Sequence, residues 1–147
     1  MSKSLLKQAA LDYGGAAVSA GSSIDSNSSR FDMQNYENVL FMTTITDSVA
    51  TGVATLTIET NSADSDTGMT ASTAIATATC AVNDDLNGML LIAELKNPLE
   101  RYVQGVRTSA TANIAYGEII AVRYNARKAP VTQSSTTVAH SISVADA

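Results

Sequence analysis

The chain has 147 residues and a formal net charge of −5 at pH 7, and charged residues make up 16% of it. This length accommodates one domain with its own core, without disulfides or a structural metal. The nine basic residues are scattered, whereas duplex nucleic acid and anionic membranes are bound through clustered Lys and Arg. We therefore expect no nucleic acid and no membrane among the partners.

Cysteine content and hydropathy bear on disulfide formation, membrane insertion and secretion. Cys80 is the single cysteine and cannot form an internal disulfide. No apolar run approaches the ~20 residues that span a bilayer, and residues 1–10 lack the apolar segment of a signal peptide. We expect a protein that is made and used without secretion.

Residues 1–29 are predicted to be an N-terminal arm. The segment MSKSLLKQAAL favours helix but is too short to form one alone, and it ends at Gly14 and Gly15. Residues 18–29 are rich in Ser with little apolar content, so burial cannot offset the entropy lost on ordering. The arm is either flexible or ordered by a partner.

The first predicted strands lie between residues 30 and 60. Arg30–Met33 is a short strand, and Glu37–Thr46 carries apolar side chains on both faces, which is typical of a central strand. Val53–Thr60 alternates strictly between apolar and polar residues. Its inward-facing residues are predicted to be Ala54, Leu56 and Ile58.

Two further strands follow, each separated by turn-forming residues. Asn61–Gly68 and Asn83–Gly88 have the composition of turns and loops. Met69–Val82 is predicted to be a strand of small side chains. Met89–Lys96 fits helix or strand by periodicity, and its eight residues between two turns favour a strand.

The segment between Pro98 and Pro130 is predicted to form a buried β-hairpin. Its strands would run from Tyr102 to Thr108 and from Gly117 to Asn125, joined by a small, polar connection. Residues 131–147 lose core-forming content and are predicted to be a C-terminal tail. Three apolar residues of this tail could dock on a partner: Val138, Ile142 and Val144.

Seven or so short strands with turns between them indicate an all-β fold. We predict a single jelly-roll-like β-sandwich, residues 30–130, with extended N- and C-terminal arms.

The sequence offers few residues for catalysis or metal binding. His140 is the only histidine and lies in the polar tail, where a Ser-His-Asp triad would lack rigid support. One His and one Cys do not make a tetrahedral zinc site without several carboxylates. We expect no catalytic residues, no metal and no cofactor.

Two pairs of aspartates lie in the predicted loops. Asp64 and Asp66 resemble half of a calcium loop, but the acid that would close it near residues 73–75 is missing. Asp84 and Asp85 are likewise predicted to be a solvated turn. Four glutamates in or beside strands are expected to be solvated or salt-bridged: Glu59, Glu94, Glu100 and Glu118.

Carbohydrate binding is the main non-catalytic alternative to a structural role. Aromatic residues make up 5% of the chain and tryptophan is absent, which removes the best stacking group for sugars. Five tyrosines could still form a platform.

Four motifs in this order resemble a known family. They are Asp-Met-x-x-Tyr-Glu-x-Val-x-Phe at residues 32–41, TGVATLTIET at 51–60, Arg-Tyr-Val at 101–103 and Arg-Lys-Ala-Pro at 127–130. Together they resemble the jelly-roll capsid decoration proteins, or head cement proteins, of tailed bacteriophages. The loop NSADSDTG lacks the aromatic residue often found there in that family, and this chain continues past Pro130.

The resemblance implies a non-enzymatic protein of the virion, on the outer surface of the capsid. It would bind the major capsid protein as a homotrimer at three-fold and quasi-three-fold positions. On this hypothesis the two arms carry attachment, and three arginines hold the hairpin or the subunit interface. The candidate interface residues are Leu5, Leu6, Leu11, Arg101, Arg107, Arg123, Val138 and Ile142. A phage tail, neck or fibre component and a sugar-binding module remain as alternatives.

Overall fold

Ten β-strands dominate the computed structural model, which describes residues 4–143. The elements in chain order are α1 (Leu5–Gln8), β1 (Ala10–Gly15), β2 (Val18–Gly21), β3 (Asp25–Asn27), β4 (Phe31–Asp32), β5 (Tyr36–Ser48), β6 (Val53–Asn61), β7 (Thr70–Thr79), β8 (Leu90–Lys96), β9 (Tyr102–Ala110) and β10 (Ile114–Ala126). Helix α1 is a single turn. Within the described residues, no helix has the length and hydropathy needed to cross a membrane.

The strands form two antiparallel sheets of five strands each. Sheet A has the order β1-β10-β5-β8, and β2 also pairs with β10. Sheet B has the order β3-β9-β6-β7, and β4 also pairs with β9. The inward residues of both sheets build one core between them.

The strand order is that of a jelly roll. Taking β1 with β2 as one interrupted strand and β3 with β4 as another leaves eight strands. Successive strands then alternate between the two sheets, except for the β6-β7 hairpin. This is the arrangement of two interlocked Greek keys. The predicted all-β, jelly-roll-like sandwich is therefore confirmed.

The core follows the predicted alternation. Ala54, Leu56 and Ile58 of β6 are fully buried, as is Phe41 of β5. The predicted strands at 37–46, 53–60, 69–82 and 89–96 are confirmed as β5, β6, β7 and β8. Residues 83–88 form turns, as predicted, and residues 62–68 form the predicted loop, made of bends and one turn.

The predicted hairpin of residues 98–130 is wrong in one respect. Both strands exist, but β9 pairs with β6 in sheet B while β10 pairs with β5 in sheet A. Ala110–Ile114 therefore crosses between the sheets instead of turning back within one. Residue alternation predicts that a segment is extended, but the partner is chosen by packing across the sandwich.

The N-terminal boundary also differs from the prediction. Strand pairing begins at Ala10, well before residue 30, because β1 and β2 pair with β10 and β3 pairs with β9. The low apolar content of this segment does correspond to low burial, since β2 and β3 have no buried residue. Backbone hydrogen bonds to strands that are already buried hold this segment in place.

The described part of the C-terminal tail, residues 131–143, contains no strand or helix. It does not extend away from the body. Val131 donates its N–H to the carbonyl of Lys7 at 3.0 Å, and the tail then runs along the outer edge of β1. Val144, one of the predicted docking residues, lies outside the described residues.

Candidate interaction surface

The outer face of sheet A carries apolar side chains across the full width of the sheet. One row crosses four strands: Tyr13 is opposite Ile120, Ile120 is opposite Met42, and Met42 is opposite Ile92. The adjacent row continues with Leu11, Val122 and Leu40. We call this surface the apolar face; its residues are Leu11, Tyr13, Leu40, Met42, Leu90, Ile92, Ile120 and Val122.

Several of these side chains are largely open to solvent. Leu90 is 57% exposed, Tyr13 and Ile92 are each 47% exposed, and Ile120 is 39% exposed. Scattered exposed apolar residues are normal, whereas the largest continuous apolar patch of a protein is often a functional surface. The apolar face therefore has the character of a surface that another protein covers.

The outer face of sheet B is richer in threonine, although it also exposes Ile75 at 54%. Thr55 lies opposite Thr77 on one side and Thr108 on the other. The Thr55 and Thr77 hydroxyls are 3.3 Å apart. Small hydroxyl side chains of this kind remain hydrated at little cost. The contrast between the two faces singles out sheet A.

The apolar face corresponds to a pattern that is visible in the sequence. Strands β5, β8 and β10 carry apolar residues at both parities, a pattern typical of strands covered on both faces. The central position predicted for Glu37–Thr46 is correct, since β5 lies inside sheet A, as β10 also does. No strand or helix of the described chain packs over the outer side of these strands, so the second apolar parity is largely open to solvent.

Arg107, one of the predicted interface residues, is buried inside the chain at 1% exposure. Its Nη1 donates to the carbonyls of Ala16 at 3.0 Å and Gly117 at 2.6 Å, and its Nη2 donates to the Ser26 hydroxyl at 3.2 Å. Burial lowers the pKa of this guanidinium. Arg107 thus ties the β1-β2 connection and β3 to the body of the sandwich.

Arg123 binds β1 and β4, and Arg101 binds β4. Arg123 pairs with Asp12 of β1 at 3.0 Å and donates to the Asp32 carbonyl at 2.8 Å. Its guanidinium also lies 4.8 Å from the centre of the Tyr36 ring. Arg101 binds the Asp32 carboxylate at 2.8 Å and is the chief reason that the pKa of Asp32 is lowered. All three arginines are engaged within the chain.

The apolar residues among the candidate interface residues lie in three places. Leu5 of α1 is 62% exposed, and Leu6 is half-buried beside it. Leu11 belongs to the apolar face. Val138 is fully exposed, and it lines a groove of about 320 Å³ together with Leu11, Tyr13 and Ile120. The structure therefore brings Leu11 and Val138 together, while Ile142 is exposed further along the tail.

The acidic pairs have partners within the chain. Asp64 and Asp66 both bind Arg30, at 2.7 and 2.6 Å. Asp85 accepts hydrogen bonds from the Cys80 thiol and from the backbone N–H groups of Ala81 and Val82, and the thiol contact lowers its pKa most. No cluster of three or more potential metal ligands occurs among residues 4–143.

The tyrosines do not form an aromatic platform. Tyr36 and Tyr116 are buried, Tyr102 and Tyr124 are half-buried, and Tyr13 lies among aliphatic residues of the apolar face. Burial raises the pKa of Tyr116 to about 12. Its hydroxyl donates to the Thr108 carbonyl and accepts from the Thr55 N–H.

No family model matches this chain, and no curated protein does.

Proposed function

We propose that this protein is a structural component of a bacteriophage virion, a capsid decoration protein. It binds the major capsid protein on the outer surface of the capsid as a homotrimer, at three-fold and quasi-three-fold positions. It stabilises the head by bridging neighbouring capsid subunits and carries out no catalysis. The resemblance of four sequence motifs supports the family, and the apolar face supports the mode of attachment.

The observation that carries this proposal is the chemistry of the apolar face. Its two central rows consist of Leu, Ile, Val, Met and Tyr, and the charged residue opposite Leu40 is Glu94 at the edge strand β8. An apolar centre with charge at the rim is the usual composition of a lasting protein interface. A hydrated sugar or a charged ligand would require the opposite arrangement.

The size of the face supports a multivalent complex. Four strands about 4.8 Å apart and about five residues long at ~3.4 Å each give a footprint of roughly 300 Å². A standard interface buries about 800 Å² on each partner, so one copy would bind weakly. Three copies fixed together present roughly 900 Å², and their contacts combine through effective concentration. This favours a trimer on a repeating lattice.

Purified protein mixed with undecorated capsids tests the proposal. We expect saturation at a fixed copy number for each lattice site, measured by sedimentation and particle imaging. Ile92→Lys places a charge at an exposed position of the apolar face and should weaken binding at least about tenfold, because the charge must be desolvated. Sedimentation equilibrium of the free protein gives its oligomeric state.

A matched variant on the other sheet serves as the control. Thr77→Lys adds the same charge to the outer face of sheet B, at a residue that is also exposed, and should leave capsid occupancy unchanged. Equal loss in both variants, or no saturable binding of the unaltered protein, would contradict the proposal. In that case, glycan binding that depends on Tyr13 would favour a sugar-binding module.

A further inference from the structure

The outer edge of β1 is covered by side chains of the C-terminal tail. Leu11 donates its N–H to Oε1 of Gln133 at 3.0 Å, and Nε2 of Gln133 donates to the carbonyl of Ala9 at 2.8 Å. The Thr136 hydroxyl accepts from the N–H of Tyr13 at 3.1 Å, and the Thr137 hydroxyl donates to the carbonyl of Leu11 at 2.9 Å. Four backbone groups of the edge are thereby satisfied.

The tail acts as a substitute for a neighbouring strand. The side-chain amide of Gln133 has the same donor and acceptor as a peptide group, and it occupies the place where the next strand of sheet A would present one. An uncovered edge strand is a template for pairing with another chain. The tail cap, defined as Gln133, Thr136 and Thr137, therefore covers a site that is suited to strand addition.

The four covered groups are complementary to themselves. In an antiparallel pair, residues that face each other in a hydrogen-bonded position exchange both N–H to O bonds. A two-fold axis at Leu11 places the Leu11 N–H and carbonyl of one copy opposite the carbonyl and N–H of the other. The same axis places the Tyr13 N–H opposite the Ala9 carbonyl. A second copy of β1 thus replaces every bond that the tail cap makes to these four groups.

We propose that the outer edge of β1 is a strand-pairing site for a second copy of this chain, and that the tail cap occupies it in the monomer. When the tail leaves, β1 pairs with β1 of the second copy about the axis at Leu11. Sheet A then continues across both molecules, with their apolar faces on the same side. This inference concerns free copies in solution, whereas the trimer of the proposed function forms on the capsid lattice, so it does not depend on binding to a capsid.

The test uses the full chain with the cap removed. The triple variant Gln133→Ala, Thr136→Ala, Thr137→Ala removes the side-chain bonds to the four groups and leaves the chain length unchanged. We expect its dimer dissociation constant, from sedimentation equilibrium, to fall at least about tenfold below that of the unaltered protein. Ser135→Ala, at an exposed residue between the cap residues, should have no effect.

Two additional substitutions identify the pairing edge. Leu11→Pro in the triple variant removes the outward N–H at the two-fold axis, and proline is tolerated on edge strands, so the variant should remain monomeric. Leu11→Cys in the triple variant should form a disulfide-linked dimer, since paired Cα atoms would be about 5.5 Å apart. Thr77→Cys in the same background should not. A dimer that persists with Leu11→Pro would overturn the proposal.

A measurement on the intact cap covers the case in which the triple variant does not fold. Leu11→Cys in the otherwise unaltered chain should form the same disulfide slowly, at a rate that rises with protein concentration, because the tail must open first. Absence of this dimer at millimolar protein, or of dimers in a folded triple variant, would likewise overturn the proposal.

Discussion

Arg123 of β10 and Asp12 of β1 form a two-point ion pair, with Nε to Oδ2 at 3.0 Å and Nη2 to Oδ1 at 3.3 Å. The Asp12 side chain is 4% exposed and that of Arg123 is 16% exposed. The pair joins the first strand of the chain to the last one. It thereby fixes a segment whose own apolar content could not hold it.

Removing one partner should show how much this pair matters. Asp12→Ala leaves the Arg123 guanidinium buried without its carboxylate, and we expect the free energy of unfolding to fall by about 3–5 kcal/mol. The measurement is urea denaturation followed by circular dichroism. The control is Arg30→Ala, which breaks the ion pairs with Asp64 and Asp66. The side chains of these two aspartates are 62% and 65% exposed, and exposed pairs contribute about 1 kcal/mol or less. Equal losses in the two variants would show that burial of the pair is irrelevant.

The N-terminal segment is expected to be required for folding. Deleting residues 1–29 removes β1, β2 and β3 and takes away the Ala16 carbonyl and the Ser26 hydroxyl that Arg107 binds. Unpaired strand edges and a buried guanidinium with fewer partners should leave an aggregating chain without a cooperative transition.

The matched control for the deletion is Leu5→Ala, which changes an exposed residue of the same segment and should keep the thermal midpoint of the intact protein. A cooperatively folded fragment beginning at residue 30 would restore the view of residues 1–29 as a separate arm. Thermal scans of both proteins by circular dichroism decide between these outcomes.

Gly105 of β9 faces Phe41 and Ile119 of the opposite sheet. A Cβ atom at this position would meet the Phe41 ring at 2.7 Å and the Ile119 side chain at 2.8 Å. Gly105→Ala should therefore overpack the core and lower the free energy of unfolding by about 1–3 kcal/mol. Gly15→Ala is the control, because its nearest atoms would be 3.5 Å away. If denaturant midpoints of the two variants coincide, the sheets separate more easily than this packing indicates.

Tyr116 should make the fold sensitive to alkali. The pKa of its phenol is about 12 in the folded chain, raised from 10.0 by burial. The neutral phenol is favoured in the folded state, so its contribution is complete below pH 10 and declines as the pH rises to about 12. Two pKa units correspond to about 2.7 kcal/mol.

The variant Tyr116→Phe isolates this effect. It should cost about 1–3 kcal/mol at neutral pH, because the Thr108 carbonyl and the Thr55 N–H lose their partner. Between pH 10 and 12 its free energy of unfolding should fall less steeply than that of the unaltered protein. Parallel pH profiles of the two proteins would mean that Tyr116 does not titrate in this range.

Local pattern was sufficient for most of the strands. Alternation in Val53–Thr60 predicted both β6 and its inward residues, and turn-forming residues located the break before β8. The period of Met89–Lys96 fits helix or strand, and its length between two turns predicts a strand. The segment is β8. These features depend on neighbouring residues, so the sequence displays them directly.

The candidate site was harder to predict. The residues of the apolar face come from β1, β5, β8 and β10, which are distant in sequence and adjacent in space. Leu11 is predicted as an interface residue of the N-terminal arm, whereas Met42, Ile92 and Ile120 are predicted only as members of strands. Whether a strand face is covered depends on what packs over it, and no local pattern contains that information.

The amino-acid sequence by itself determined an all-β sandwich, the position of its central strands and the polar character of its ends, because periodicity and turn chemistry act over a few residues. Only the tertiary structure decided that β9 and β10 belong to different sheets and that residues 10–27 pair with them. It also decided that Gln133 closes the edge of β1. These outcomes depend on hydrogen bonds and packing between segments that are far apart in sequence, and Gln133 lies more than 120 residues from the backbone groups that it binds. The partner of each strand is therefore chosen by the whole fold.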